Sequence, residues 1–174
     1  MLIAMAGLGH AAVFHTTLEN GLTVLIEENH ANPVVSVEVF VRTGSMYEQE
    51  YLGSGISHFF EHLIHSGTTS TRSAEESRRL LEAIGNNSNA YTTVDHTAYY
   101  INTTTEHWRT ALELLADWML HSSITPAEFE REKGVVQREL EQDPIIPSRC
   151  LHRPSWKAAS RSTRYAIRSL VTKS

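Results

Sequence analysis

The feature that most constrains this fold is a short apolar stretch that carries two histidines and a glutamate. It reads Gly55-Ile56-Ser57-His58-Phe59-Phe60-Glu61-His62-Leu63. His58 and His62 are four residues apart, so on an α-helix both imidazoles lie on one face and can close on one metal ion. Burying such groups without a partner would cost roughly several kcal/mol, and a metal ion removes that penalty. The stretch therefore predicts a metal-binding helix, in preference to a helix whose histidines only pair with neighbouring side chains.

Zn²⁺ suits this pattern. Two imidazoles occupy two of four tetrahedral positions, which leaves places for one more protein ligand and for a water. Glu61 directly precedes the second histidine, where it can take a proton from that water. The order His-x-x-Glu-His reverses the commoner His-Glu-x-x-His, but a helix can present both orders to a metal. The third protein ligand must come from another part of the chain.

The rest of the pattern predicts an α+β domain. Asn20-Gly21 between two apolar runs indicates a β-hairpin, and alternation over 35–42 indicates a half-buried strand. Ser73 and Glu76 form a capping-box pattern that begins a second helix. Further helices are predicted over 106–121, with Trp108, Leu112, Leu115 and Met119 as its apolar stripe, and from Thr125 to about 142. A second hairpin is predicted from strands 90–94 and 97–103, after a turn over 86–89.

The last predicted helix supplies two candidates for the third ligand. Glu132 and Glu139 are seven residues apart, so they share one stripe of that helix with Val136 and Leu140. Acids on an otherwise apolar stripe need a partner. Spacing alone does not choose between the two glutamates.

Charge divides the 174-residue chain unevenly. Residues 1–144 hold all 20 acids and eight of the 15 Lys and Arg, a net charge of −12, whereas residues 145–174 hold the other seven bases and no acid, a net charge of +7. The basic tail has few aromatic residues among its basic ones and no recognisable nucleic-acid-binding motif, so no nucleic-acid partner is expected. No apolar run is long enough to cross a membrane. The single cysteine, Cys150, excludes a disulfide within the chain and leaves the compartment open.

Three segments together resemble the pitrilysin (insulinase) family of zinc metallopeptidases, in its N-terminal catalytic domain. They are His58–His62, the strand segment Asn89-Ala90-Tyr91-Thr92, and the helical run from Glu130 to Leu140. The resemblance covers about 14–143. It implies the α+β fold of those enzymes, a mainly antiparallel sheet with helices packed on it, and zinc-dependent hydrolysis of peptide bonds.

The resemblance also implies roles for individual residues. It makes His58, His62 and Glu139 the Zn²⁺ ligands and Glu61 the residue that activates the water. Glu132 becomes a second catalytic-site acid that supports the ligands, and Asn89, Ala90 and Tyr91 form the strand that pairs with an extended peptide substrate.

Members of that family commonly continue into a second domain of similar fold, so a second domain or a partner subunit is expected here. We expect residues 1–12 to be a signal remnant or disordered, 13–143 to form the peptidase domain, and 144–174 to be a basic tail. A truncated or frame-shifted copy is favoured over a half-length subunit, because the composition changes where the resemblance ends. The alternatives to an active enzyme are a non-catalytic partner subunit or peptide-binding module, and an inactive fragment.

The remaining histidines receive no chemical role. His65 is predicted at the surface at the end of the first helix. His96, His107 and His121 are treated as structural.

Overall fold

A computed structural model describes residues 13–52, 54–65 and 67–142, without the side chains of 140–142. The expectations for 1–12 and 144–174, and the place of the Leu140 side chain, lie outside these residues. The strands are β1 (Val13–Thr17), β2 (Thr23–Glu27), β3 (Val34–Val41), β4 (Asn87–Thr92) and β5 (Thr97–Thr104). The helices are α1 (Ile56–Ile64), α2 (Ala74–Ala83), α3 (Trp108–His121) and α4 (Pro126–Gln142), and two short 3₁₀ turns precede α1 at Ser45–Tyr47 and Gln49–Tyr51. The predicted α+β class is confirmed.

The described chain divides into two compact units, the first of which ends at Val34. It contains the antiparallel hairpin β1–β2, in which Val13 pairs with Glu27 and Thr17 with Thr23. Gly21 in the turn has φ +86°, a left-handed conformation that glycine adopts at little cost. The Asn-Gly prediction of a hairpin at this place is therefore confirmed.

The second unit, from Val35 on, is built on a three-stranded sheet with the order β3-β5-β4. β4 pairs antiparallel with β5, from Asn87 opposite Asn102 to Thr92 opposite Thr97. Strand β4 begins at Asn87, so the prediction of a turn over 86–89 was wrong beyond Asn86, the residue with φ +48°. Among the described strands β4 lies at an edge of this sheet.

The larger core lies between the sheet and helices α2 and α3. Its fully buried members include Ile101 on β5 and Leu114, Leu115 and Trp118 on α3. Trp108 and Leu112, predicted on the apolar stripe of α3, are 41% and 45% exposed. The helix is amphipathic as predicted, but it packs through the face centred on Leu114 and Trp118. Spacing alone did not distinguish this face from the adjacent face that carries Trp108 and Leu112.

A smaller core joins α1 to α4. It consists of Phe59 and Leu63 from α1 with Phe129 and Val136 from α4. The rings of Phe59 and Phe129 meet edge to face with centroids 5.1 Å apart, a favourable aromatic geometry. This packing brings the histidine helix and the glutamate helix together. None of the helices in the described part of the chain is long and apolar enough to span a bilayer.

Candidate metal centre

Helix α1 directly follows a glycine, and a buried acid contacts its first turn. Gly55, the residue before the helix, has φ +74°, where a side chain would be strained. The Ser57 amide donates a hydrogen bond of 3.0 Å to Glu48 Oε1, and Glu48 is 5% exposed. A carboxylate is stabilised at a helix N-terminus because the first amides of a helix have no partner within it. The contact fixes the position of the turn that precedes His58.

The two histidines meet as their four-residue spacing predicted. Their Nε2 atoms lie 3.2 Å apart, and the ring planes are at 84° to each other. His62 is 20% exposed and His58 is 39% exposed. Two imidazole nitrogens therefore converge at a partly exposed site.

Both candidate glutamates of α4 lie beside these histidines, but they approach different atoms. Glu139 Oε2 lies 3.4 Å from His62 Nε2 and 3.8 Å from His58 Nε2. Glu132 Oε2 lies 3.6 Å from His62 Nδ1, on the other side of that ring, and its second oxygen accepts a hydrogen bond from Arg131. Glu139 therefore faces the Nε2 atoms of both histidines, whereas Glu132 contacts Nδ1 on the opposite side of the His62 ring.

The spacing of these donor atoms matches a four-coordinate zinc site. Ligand atoms about 2.0–2.2 Å from Zn²⁺ at tetrahedral angles are about 3.3–3.6 Å from one another. The three pairs formed by the His58 and His62 Nε2 atoms and Glu139 Oε2 are separated by 3.2, 3.4 and 3.8 Å. Two nitrogens and one carboxylate oxygen are also the donor types that Zn²⁺ accepts at catalytic sites.

Glu61 lies on the same helix but in a different environment. A Glu61 oxygen and one nitrogen from each of His58 and His62 lie within 4.8 Å of one another. Glu61 is 8% exposed, and its Oε2 accepts a 2.6 Å hydrogen bond from the Thr92 hydroxyl of β4. Burial raises the pKa of the neighbouring Tyr99, and the negative charge of Glu61 adds to this effect. Glu61 is therefore anchored to the sheet.

Sequence reasoning missed three contacts around this centre, those made by Glu48, Thr92 and Glu128. Glu128 lies in the first turn of α4. Its carboxylate accepts hydrogen bonds from the backbone and hydroxyl groups of both Thr125 and Thr68. It thereby ties the loop that follows α1 to the first turn of α4. The Thr125-x-x-Glu128 pattern signals the local half of this contact, but no local pattern signals the half that involves Thr68.

His65 does not lie at the surface as expected. It is half-buried, with its ring 5.4 Å from the ring of Trp118, and its Nε2 has no hydrogen-bond partner among the described residues. Burial and the neighbouring His62 lower the pKa of His65. The side chain packs against α3 through this ring contact.

The segment predicted to pair with a peptide lies on the edge strand β4. Ala90 is buried and packs in the larger core, whereas Tyr91 is 39% exposed. The side chain of Asn89 accepts a hydrogen bond from the amide of Ala90. Helix α1 contacts this strand, so the edge and the histidines belong to one region of the second unit.

The fold and the site define a class of domain in which two packed helices bring histidines and carboxylates together beside an antiparallel sheet. The sequence profile described as Insulinase (Peptidase family M16) matches residues 23–167. The chain belongs to that family.

Individual relatives agree with this assignment. The chain is 37% identical over 136 residues to a protein named "Uncharacterized zinc protease YmxG" from Bacillus subtilis (strain 168), covering 78% of this chain and 33% of that protein. It is 38% identical over 127 residues to "Mitochondrial-processing peptidase subunit beta" from Rattus norvegicus, covering 73% and 25% respectively. A solved structure, of a protease from Helicobacter pylori, superposes with a TM-score of 0.71 at 32% identity and covers 78% of this chain and 33% of that one. The chain thus spans between a quarter and a third of the length of these relatives.

Proposed function

We propose that this chain carries the zinc-binding catalytic domain of an endopeptidase. The observation that carries the proposal is the convergence of the His58 and His62 Nε2 atoms and Glu139 Oε2 at 3.2 to 3.8 Å, with the Glu61 carboxylate on the same helix. The family and the named zinc protease among its relatives support the same reaction.

In this proposal His58, His62 and Glu139 hold Zn²⁺. When bound, Zn²⁺ supplies Lewis-acid activation of a water molecule and of the scissile carbonyl. Glu132, 3.6 Å from His62 Nδ1, is placed to accept the second N–H of that imidazole when the metal is bound, which would leave the other nitrogen, Nε2, free to coordinate. Zinc histidines commonly have such a carboxylate partner, which orients the ring and raises its basicity.

Glu61 takes the role of general base. Its carboxylate accepts the proton released from the attacking water and passes it to the leaving amine. It is on the same helix as the proposed histidine ligands, one residue before His62, so the helix itself sets its distance from the reacting atoms.

The peptide is proposed to add as a further strand along β4, at Asn89, Ala90 and Tyr91. Backbone hydrogen bonds along an exposed strand edge bind an extended peptide with little dependence on its side chains. This arrangement suits a peptidase of broad specificity. A second domain or a partner subunit is proposed to close over that edge, since the relatives are three to four times longer than the matched region.

The test combines metal analysis with hydrolysis of a quenched fluorogenic peptide. The purified protein should contain one zinc and should lose hydrolysis on treatment with a chelator. The variant Glu61→Gln should keep its zinc and lose at least about 100-fold in kcat, because it retains the ligands but lacks the proton acceptor. Normal cleavage by this variant would refute the role of Glu61, and a metal-free protein would favour a non-catalytic binding module.

A further inference from the structure

The Glu61 carboxylate accepts a hydrogen bond from the last residue of β4. Thr92 Oγ1 lies 2.6 Å from Glu61 Oε2, a distance typical of a hydroxyl that donates to an ionised carboxylate. Thr92 is the last residue of β4, and its side chain lies on the face of the sheet toward α1. The bond therefore joins the proposed general base to the strand at which the peptide is proposed to bind.

The direction of the hydrogen bond between Thr92 and Glu61 follows from which groups can donate. Thr97, opposite Thr92 on β5, is fully buried and donates its proton to the Thr43 carbonyl at 2.9 Å. The two threonine hydroxyl oxygens are 3.2 Å apart. A carboxylate can only accept, so the Thr92 proton belongs to Glu61. With the Thr97 proton on the Thr43 carbonyl and the Thr92 proton on Glu61, the two hydroxyl oxygens are in contact without a hydrogen bond between them.

We infer that Thr92 is a positioning residue, which holds Glu61 Oε2 so that Oε1 faces the reacting water. This inference rests on the proposed function. A carboxylate with one oxygen fixed has lost most of its rotation, so the other oxygen stays in the orientation that proton transfer requires. Because Thr92 also ends the strand that is proposed to pair with the peptide, the same contact sets the base relative to the substrate backbone.

The test compares Thr92→Val, which keeps the shape but removes the hydroxyl, with Thr92→Ser, which keeps the hydroxyl. In the zinc-loaded intact protein, Thr92→Val should lower kcat about 10- to 100-fold, the order of loss expected when a catalytic group is misplaced. KM and zinc content should stay within about twofold of wild type. Thr92→Ser should retain at least about a third of wild-type kcat. Combining Thr92→Val with Glu61→Gln should lower the residual rate no further than Glu61→Gln alone.

Thr103→Val is the matched control. Thr103 is buried on β5 and donates its hydroxyl proton to the Ile84 carbonyl at 2.7 Å, so its loss should reduce stability without changing kcat. If Thr92→Val does not fold, Thr92→Cys offers only a weak S–H donor at a similar volume and should show the same fall in kcat. Wild-type kcat in Thr92→Val or Thr92→Cys, or equal loss in Thr103→Val, would overturn the inference. An inactive zinc-loaded wild type would instead overturn the proposed function.

Discussion

Three glutamates surround the same two imidazoles, and each has a different environment. Glu61 is buried and bonded to Thr92, Glu132 is 16% exposed behind His62, and Glu139 is 46% exposed beside both rings. An exposed carboxylate gains little from a surface contact, whereas a bound Zn²⁺ would restrain it strongly. The environments match the roles proposed for a base, a supporting acid and a ligand.

Zinc affinity should distinguish the two glutamates of α4. Glu139→Gln should weaken zinc binding most, because an amide oxygen is a poor substitute for a carboxylate ligand. Glu132→Gln should weaken it by about 10- to 100-fold, as is typical for loss of an outer partner of a ligand histidine. Competition with a chromophoric chelator measures both.

Glu130→Gln controls for the loss of one negative charge on the same helix, since Glu130 pairs with Lys133 at 3.2 Å. Its zinc affinity should match that of wild type. A larger loss in Glu132→Gln than in Glu139→Gln would exchange the roles of the two residues.

The relation between helices α1 and α4 depends on contacts at two places. The aromatic pair Phe59 and Phe129 joins them in the smaller core, and the Glu128 carboxylate ties the loop after α1 to the start of α4. Because the proposed ligands come from both helices, a shift of one helix against the other would separate them. The Glu128 contact is therefore part of what positions the metal centre.

Glu128 should make the fold sensitive to acid. Burial opposes its ionisation, but hydrogen bonds from Thr125 and Thr68 outweigh burial and hold the pKa of this carboxyl below its ordinary value of 4.5. The unfolded chain then binds the proton more tightly than the folded one. The stability that this group contributes is complete above pH 4.5 and is lost as the pH falls through the folded-state pKa.

Glu128→Gln should lower the free energy of unfolding at pH 7 by about 1–3 kcal/mol, the cost of breaking such a buried network. It should also reduce the further loss of stability on acidification. Urea unfolding at several pH values measures both effects. Glu113 is an exposed acid on α3, so Glu113→Gln should leave the dependence of unfolding free energy on pH unchanged. If the free energy of unfolding of Glu128→Gln fell with pH as in wild type, Glu128 would not be the group that makes the fold sensitive to acid.

At the scale of the whole molecule, the described chain is a hairpin unit and a sheet-and-helix unit, and the candidate site lies entirely within the second. The chain covers only part of its longer relatives. Metal binding, for which the proposed ligands all come from α1 and α4, can therefore be tested separately from hydrolysis, which is proposed also to require the peptide to bind along β4.

Zinc should stabilise the folded chain whether or not it is active. A ligand that binds only the native state adds about 2.7 kcal/mol at a concentration 100 times its Kd. For a chain of this size that corresponds to a rise in Tm of about 5–10 °C. Calorimetry with Zn²⁺ and then with excess chelator measures the change.

Mg²⁺ at the same concentration should have no such effect, because it prefers oxygen ligands. Glu139→Gln should show a smaller rise than wild type. Equal stabilisation by Mg²⁺ and Zn²⁺ would contradict a site built from two imidazoles and a carboxylate.

Local patterns in the sequence determined the elements and the contacts within them. The four-residue spacing of His58 and His62 placed their nitrogens together because helical geometry fixes that distance. The capping box of Ser73 and Glu76 formed as predicted, since both partners lie in one turn.

Tertiary structure decided what lies far apart in the chain. It brought Glu139 and Glu132 to opposite sides of His62, placed Thr92 against Glu61, and turned α3 so that Trp118 rather than Trp108 is buried. A helical stripe shows that a face is apolar or acidic, but the partner of that face depends on how whole elements pack. The physical reason is that spacing sets distances within an element, whereas contacts between elements depend on the shape of the assembled core.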